Sequence, residues 1–111
     1  MTNGVIMASV TMDWLMEDAI NPEAGQSLAR MSVDIGVTSD IHHHTNCTET
    51  IHLLEGKIEQ RIGDEWVKMR AGETCLIPIA AKHQTRNVGG VRAVMIIAYS
   101  AGARVYVADE K

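Results

Sequence analysis

The chain has 111 residues, enough for one domain and one core but not for two. Hydrophobic residues make up 46%, Phe is absent and there are only two Trp and two Tyr, so Ile, Val, Leu, Met and Ala must fill the interior. A net charge of −4 without a basic run speaks against a nucleic-acid partner, and no apolar stretch approaches the roughly 18 residues of a membrane span.

Residues 1–26 are read as an N-terminal arm, with two alternatives open. Asp13 would cap a short helical turn over residues 14–20, closed by Asn21-Pro22, or residues 5–12 would form an edge strand that crosses to a partner subunit. From Ser27 onward, residues 27–111 are expected to form a single β-barrel domain. Met31, Val33 and Ile35 alternate with Ser32 and Asp34 before a turn at Gly36. A strand over residues 41–46 carries a histidine pair. Strands over 50–55 and 57–62 flank Glu55-Gly56, read as a hairpin-type turn, and Gly63-Asp64 turns the chain into 65–69. Ala71-Gly72 precedes a strand over 74–79, and 83–88 ends at Gly89-Gly90. A long apolar run over 91–100 and a short strand over 104–108 complete the chain. Short strands at regular spacing, with no long helical pattern, predict an all-β antiparallel sandwich or barrel. Residues 1–15 hold no Lys or Arg and no small-residue cleavage pattern, so Cys47 and Cys75 are expected as free thiols in a cytoplasmic protein.

Chemistry concentrates at His42, His44, Glu49 and His83. His42 and His44 are two apart and leave the same face of a strand, which turns His43 to the other side. His44 and Glu49 are an odd number apart, so residues 45–48 must turn or bulge to bring both to one face. Three imidazoles and one carboxylate make a metal site of borderline-hard character, suited to one divalent Mn, Fe, Co, Ni or Zn ion. From Glu49, Ile51 and Leu53 should point inward and Thr50 and His52 outward. Gln60, between inward Ile58 and Ile62, is a buried amide that needs partners, and a metal-bound water or a substrate would serve. Tyr99 is a second candidate for contact with a small-molecule ligand. Arg30, Arg86 and Arg104 are weighed as partners for a substrate carboxylate and read as solvated. His43 and His52 are assigned to the surface or a subunit contact, Cys47 to an inert thiol and Cys75 to the core.

Gly36, His42, His44, Glu49 and Gly56 read G-x5-H-x-H-x4-E-x6-G, and Gly72, Pro78, Ala80, His83 and Asn87 read G-x5-P-x-A-x2-H-x3-N. Together they resemble the two-motif signature of the cupin superfamily over residues 28–100. Ala80 departs from the pattern, which has glycine there, so the turn before His83 is expected to differ in shape. The resemblance implies a double-stranded β-helix, the cupin jelly-roll barrel, with metal held by His42, His44, Glu49 and His83. It also implies that Glu49 either stays a fixed ligand or loosens to take a proton as a catalytic group. Its range of activities suggests a metal-dependent lyase, isomerase or dioxygenase acting on a small carboxylate or carbonyl compound. The alternative is a non-catalytic binding or sensory protein. Small cupins pair through the outer face of one sheet, often exchanging N-terminal strands. A homodimer is expected here on the face that carries His52 and Leu54.

Overall fold

The apolar–polar alternation of the sequence becomes two five-stranded antiparallel sheets packed face to face. The protein, described here by a computed structural model over residues 9–110, has ten strands. They are β1 (Val10–Met16), β2 (Ser27–Val33), β3 (His42–His43), β4 (Glu49–Glu55), β5 (Lys57–Ile62), β6 (Glu65–Arg70), β7 (Thr74–Ile77), β8 (His83–Asn87), β9 (Ala93–Tyr99) and β10 (Val107–Ala108). The first sheet has the order β1-β2-β9-β4-β7 and the second β10-β3-β8-β5-β6. The all-β jelly-roll expectation holds. Among the described residues no helix is long and apolar enough to cross a membrane.

Aliphatic side chains build the core. Val33, Ile51, Leu53, Met95 and Ile97 project from the first sheet onto Ile58 and Met69 of the second. Burial of each large aliphatic side chain contributes roughly 1.5–3 kcal/mol, so the missing phenylalanines are replaced by number rather than size. The parity of β4 is as expected, with Ile51 and Leu53 inside and Thr50 and His52 only partly covered.

Glu55-Gly56 is not a hairpin turn. β4 pairs with β7 and β9, whereas β5 pairs with β6 and β8, so this dipeptide is the corner where the chain leaves one sheet for the other. An irregularity in the β4–β9 pairing between Leu53 and Glu55 begins the bend. Gly56 has φ 94°, and a Cβ on it would lie 3.0 Å from the Cα of Ala93. Only glycine fits a left-handed corner pressed so closely on β9. The turn at Gly63-Asp64, by contrast, is a true hairpin, with Ile62 opposite Glu65.

The N-terminal segment takes neither form weighed from sequence in full. Residues 14–16 continue a strand rather than a helical turn, and β1 lies along β2 of the same chain from Val10↔Val33 to Met16↔Leu28. Residues 5–8 of the exchanged strand lie outside the described residues.

The turn before His83 keeps the left-handed conformation despite its alanine. Ala80 has φ 67°, and its N–H donates to the carbonyl of His44 at 2.8 Å. That bond ties the second motif to the first and holds the residue in a region that disfavours a Cβ by about 1–2 kcal/mol. Ala80→Gly should therefore raise stability by about 0.5–1 kcal/mol, after allowance for the greater freedom of glycine in the unfolded chain. A urea denaturation midpoint that stayed level or fell would show that the turn carries no such strain.

Candidate metal centre

Strand pairing sets the ligands in place. His42 of β3 lies directly opposite His83 of β8, and Glu49 opens β4 opposite Tyr99 of β9 and Ile77 of β7. His44 follows β3 just before a bend at residues 45–46, the break that the odd spacing to Glu49 requires. One ligand atom from each of His42, His44, Glu49 and His83 lies within 4.8 Å of all the others. Metal bonds of about 2.1 Å would set neighbouring ligand atoms roughly 3 Å apart and opposed ones roughly 4.2 Å apart, so the spacing fits one ion.

The imidazoles are oriented from behind. Nδ1 of His42 lies 2.9 Å from the carbonyl of Asp40, Nδ1 of His44 lies 2.9 Å from that of Val105, and Nδ1 of His83 lies 2.9 Å from that of Ala81. A carbonyl only accepts, so each neutral ring keeps its proton on Nδ1 and presents the lone pair of Nε2 to the centre. This is how proteins fix the tautomer of metal-binding histidines. Glu49 Oε1 sits 3.2 Å from His44 Nε2 and 3.0 Å from His83 Nε2. All three atoms are buried, yet none forms an aligned hydrogen bond among the described residues. They aim at a shared point rather than at one another. Buried polar atoms left in this way are costly, and a cation among them would satisfy all three. The donor set therefore fits a divalent metal.

Charge states follow from the same crowding. Burial, and then the neighbouring His83, lower His42 from 6.5 to about 4. Burial alone would raise Glu49, but the His44 and His83 imidazoles outweigh it and hold the carboxyl at about 2. Burial likewise works against charge on His83, but contact with Glu49 prevails and its pKa is raised. Burial, then the charge of Glu49, lifts the Tyr99 phenol well above its ordinary range. Tyr99 thus keeps its phenolic proton and can donate a hydrogen bond.

The centre opens on a cavity of about 420 Å³ whose wall includes Met12, Met31, Thr85, Tyr99 and Arg104. Of the two residues expected to contact a ligand, Tyr99 lines this cavity and Gln60 does not. Gln60 is fully buried behind Thr85, accepting the Thr85 hydroxyl at 2.5 Å and donating to the Arg61 carbonyl at 3.2 Å. His43 turns away to Asp109 at 2.7 Å, and His52 meets the hydroxyl of Thr74 on the outer face. Cys47 is buried in the core, and burial raises its thiol; the same cause pushes Cys75 up to about 11. Both are free.

Sequence reasoning passed over two aromatic neighbours and an amide. Tyr106 stacks on His42 with centroids 4.5 Å apart, and Trp14 lies 5.7 Å from Tyr99. Asn46 accepts from Val105 N–H at 2.9 Å and donates to the Ala103 carbonyl at 3.0 Å. Residues 101–106 form no strand, so no periodicity announced them. Arg104, read as solvated, is instead half-buried in the cavity wall.

Residues 29–99 match the model of the cupin domain family, and the chain belongs to that family. A germin-like protein of Oryza sativa subsp. japonica is 32% identical over 81 residues, covering 68% of this chain and 36% of that protein. An uncharacterized protein of Methanocaldococcus jannaschii is 32% identical over 66 residues, covering 60% of this chain and 53% of its own length. The chain thus spans about half or less of these relatives. An oxalate oxidase solved in complex with glycolate superposes with a TM-score of 0.82 at 24% identity, covering 96% of this chain and 58% of that one. Oxalate decarboxylase of Bacillus subtilis gives a TM-score of 0.79 at 18% identity, covering 91% of this chain and 27% of that one.

Two outcomes follow for the centre. His83→Ala should lose most bound metal in elemental analysis, whereas His43→Ala should keep it, since His43 serves Asp109 outside the cluster. Equal losses would refute the ligand set. The metal-free chain should also lose stability on acidification. His42 is depressed, so its contribution is full above 6.5 and lost as pH falls through about 4. Glu49 behaves alike, its contribution lost as pH falls from 4.5 through about 2. His83 runs the other way, its contribution present below 6.5 and lost as pH rises through its raised value. Two depressed groups against one raised group give a net decline below pH 6.5, measurable as a falling thermal midpoint.

Proposed function

We propose that this cupin-family chain is a metal-dependent enzyme of lyase, isomerase or dioxygenase type that acts on a small carboxylate or carbonyl compound. His42, His44, Glu49 and His83 hold one divalent Mn, Fe, Ni, Co or Zn ion. The observation that carries the reading is the set of three Nε2 atoms, each oriented by a backbone carbonyl behind it and gathered with Glu49, beside a cavity large enough for a small molecule whose wall includes His42, Glu49 and His83. Such an ion supplies positive charge that binds and polarises an oxygen-rich ligand.

The chain supplies the rest. Tyr99 offers a phenolic proton on the cavity wall. Thr85 gives its hydroxyl proton to Gln60, which leaves its oxygen as an acceptor toward the cavity. Gln60 therefore serves a ligand by orienting Thr85 rather than by touching it. Val10, Met12, Met31 and Val37 give part of the wall an apolar lining. The low pKa of Glu49 favours the anion, which supports its role as a fixed ligand over its role as a proton carrier.

The outer face of the first sheet supports a homodimer. Leu28, Ala98, Thr50 and Leu76 fall in one cross-strand row, and Leu54 lies nearby. Leu54 and Leu76 are 48% and 57% exposed, an apolar face of the kind that subunits cover. Free Cys47 and Cys75 suit a reducing, cytoplasmic setting.

Calorimetric titration with glycolate, lactate and oxalate tests the function. Metal-loaded protein should bind at least one of them about tenfold or more tightly than metal-free protein, a difference of about 1.4 kcal/mol. Equal affinity in the two forms would end the chelation reading. Metal-dependent binding without turnover in any assay would replace the enzyme with a binding or sensory protein. Light scattering at micromolar concentration should give the mass of a dimer, and a monomer would refute the pairing.

A further inference from the structure

Arg104 carries a charge that nothing in the described chain answers. Arg61, Arg86 and Arg92 are paired with Asp64, Glu59 and Asp34 at 3.9, 2.5 and 2.7 Å, and Arg30 and Arg70, which make no ion pair among the described residues, are exposed to solvent, whereas Arg104 is half-buried. Arg104 has neither a side-chain hydrogen bond nor an ion pair among the described residues. Its guanidinium carbon lies 5.1 Å from the Trp14 ring, 5.2 Å from Tyr99 and 5.1 Å from Tyr106. Aromatic faces attract a cation without accepting its N–H groups in line, so the fork is held but left able to donate.

The position is built rather than incidental. Asn46 bonds to Ala103 and Val105, the residues on either side of Arg104, and so fixes the backbone that presents it. The carbonyl of Val105 also takes the Nδ1 proton of His44. The guanidinium and a metal-site imidazole are thereby anchored to one three-residue segment. Arg104 lines the cavity together with His42, Glu49 and His83, and His44 joins those three in the four-residue cluster. Asp40 is the remaining carboxylate on that wall; it is exposed and makes no ion pair with Arg104.

The charges select the ligand. A divalent ion with Glu49 as its anionic ligand leaves one positive charge, and Arg104 adds a second. We propose, building on the metal-chelation reading above, that Arg104 binds the distal carboxylate of a small hydroxy- or oxo-diacid whose other end meets the metal centre. A carboxylate matches the guanidinium fork with two parallel hydrogen bonds, which a neutral amide of the same shape does not offer.

The test compares ligands that differ in one charge. Protein loaded with Mn is titrated calorimetrically with malate and 2-hydroxyglutarate, and with the distal monoamide of each. The wild-type chain should bind at least one diacid about tenfold or more tightly than its monoamide. In Arg104→Met that preference should shrink to about twofold or less, with Arg104→Lys intermediate, while metal content stays the same. If chelating acids bind in a metal-dependent way but the wild type shows no charge preference, the assignment of Arg104 is overturned and the metal reading stands. An unchanged preference in both variants overturns it equally. If no acid binds the loaded wild type, the chelation reading itself fails. A distal phosphate, tested with 3-phosphoglycerate, that is preferred tenfold over either diacid would overturn the choice of a carboxylate. Should Arg104→Met not fold, the wild-type comparison alone still decides.

Discussion

Three hydrogen bonds from histidine Nδ1 atoms to backbone carbonyls are the constraint on which the centre depends. Two of the carbonyls, from Asp40 and Ala81, lie two residues before the histidines they serve, so each ring is aimed by the approach of its own strand. The third comes from Val105, far along the chain, and makes the last segment of the protein part of the site. With all three protons turned outward, the inward nitrogens have no donors to give one another. Among the described residues Nε2 of His44, Nε2 of His83 and Oε1 of Glu49 have no aligned partner, and leaving these buried atoms unsatisfied costs of order 1–3 kcal/mol each. Metal binding at this cluster would therefore be linked to folding, because an ion would relieve a cost that the fold imposes.

The sheets make this convergence possible. β4 runs in the first sheet and β5 in the second, joined at a glycine corner, so Glu49 and Gln60 approach the interior from opposite layers. A hairpin at Glu55-Gly56 would have put both in one sheet and left the ligand set open on one side. The corner exists because Gly56 accepts a left-handed conformation against Ala93, where any side chain would collide. A single backbone requirement thus decides which layer half of the barrel belongs to.

Much of this was legible in the sequence, for identifiable reasons. Strand alternation reports which side of a sheet a residue takes, so the buried Ile51 and Leu53 and the outward His52 could be read from Glu49. The same alternation is blind to which strand lies beside which, so the corner at Gly56 looked like a hairpin. The spacing of His42, His44 and Glu49 marked those three because they sit on one strand or across one bend, whereas His83, on a strand that meets them only in three dimensions, was marked by the second motif. Gln60 was legible as buried, but not which residue stands between it and the cavity, since the intervening Thr85 comes from a strand that pairs with β5 only in three dimensions. Arg104 was weighed as a carboxylate partner but read as solvated, because residues 101–106 form no strand whose alternation would show it turned inward. Their order comes from Asn46 and from His44, both more than fifty residues earlier. Ala80 misled in the opposite direction: its intrinsic preference argued against the left-handed turn, but the bond to His44 enforces it.

The site divides into two halves with different physical supports. His42 and His83 face each other across a strand pair and Glu49 begins a strand, so the ion-binding half rests on ladders that resist displacement. Arg104, Tyr106 and the carbonyl of Val105 stand on an irregular segment, tied down by one asparagine and by the pairing of β10 with β3. A segment of that kind can change its side chains without disturbing a sheet, and changes there would alter what is bound without altering what binds the ion. On the proposed reading, the rigid half would hold the metal and the irregular half would select the molecule that reaches it.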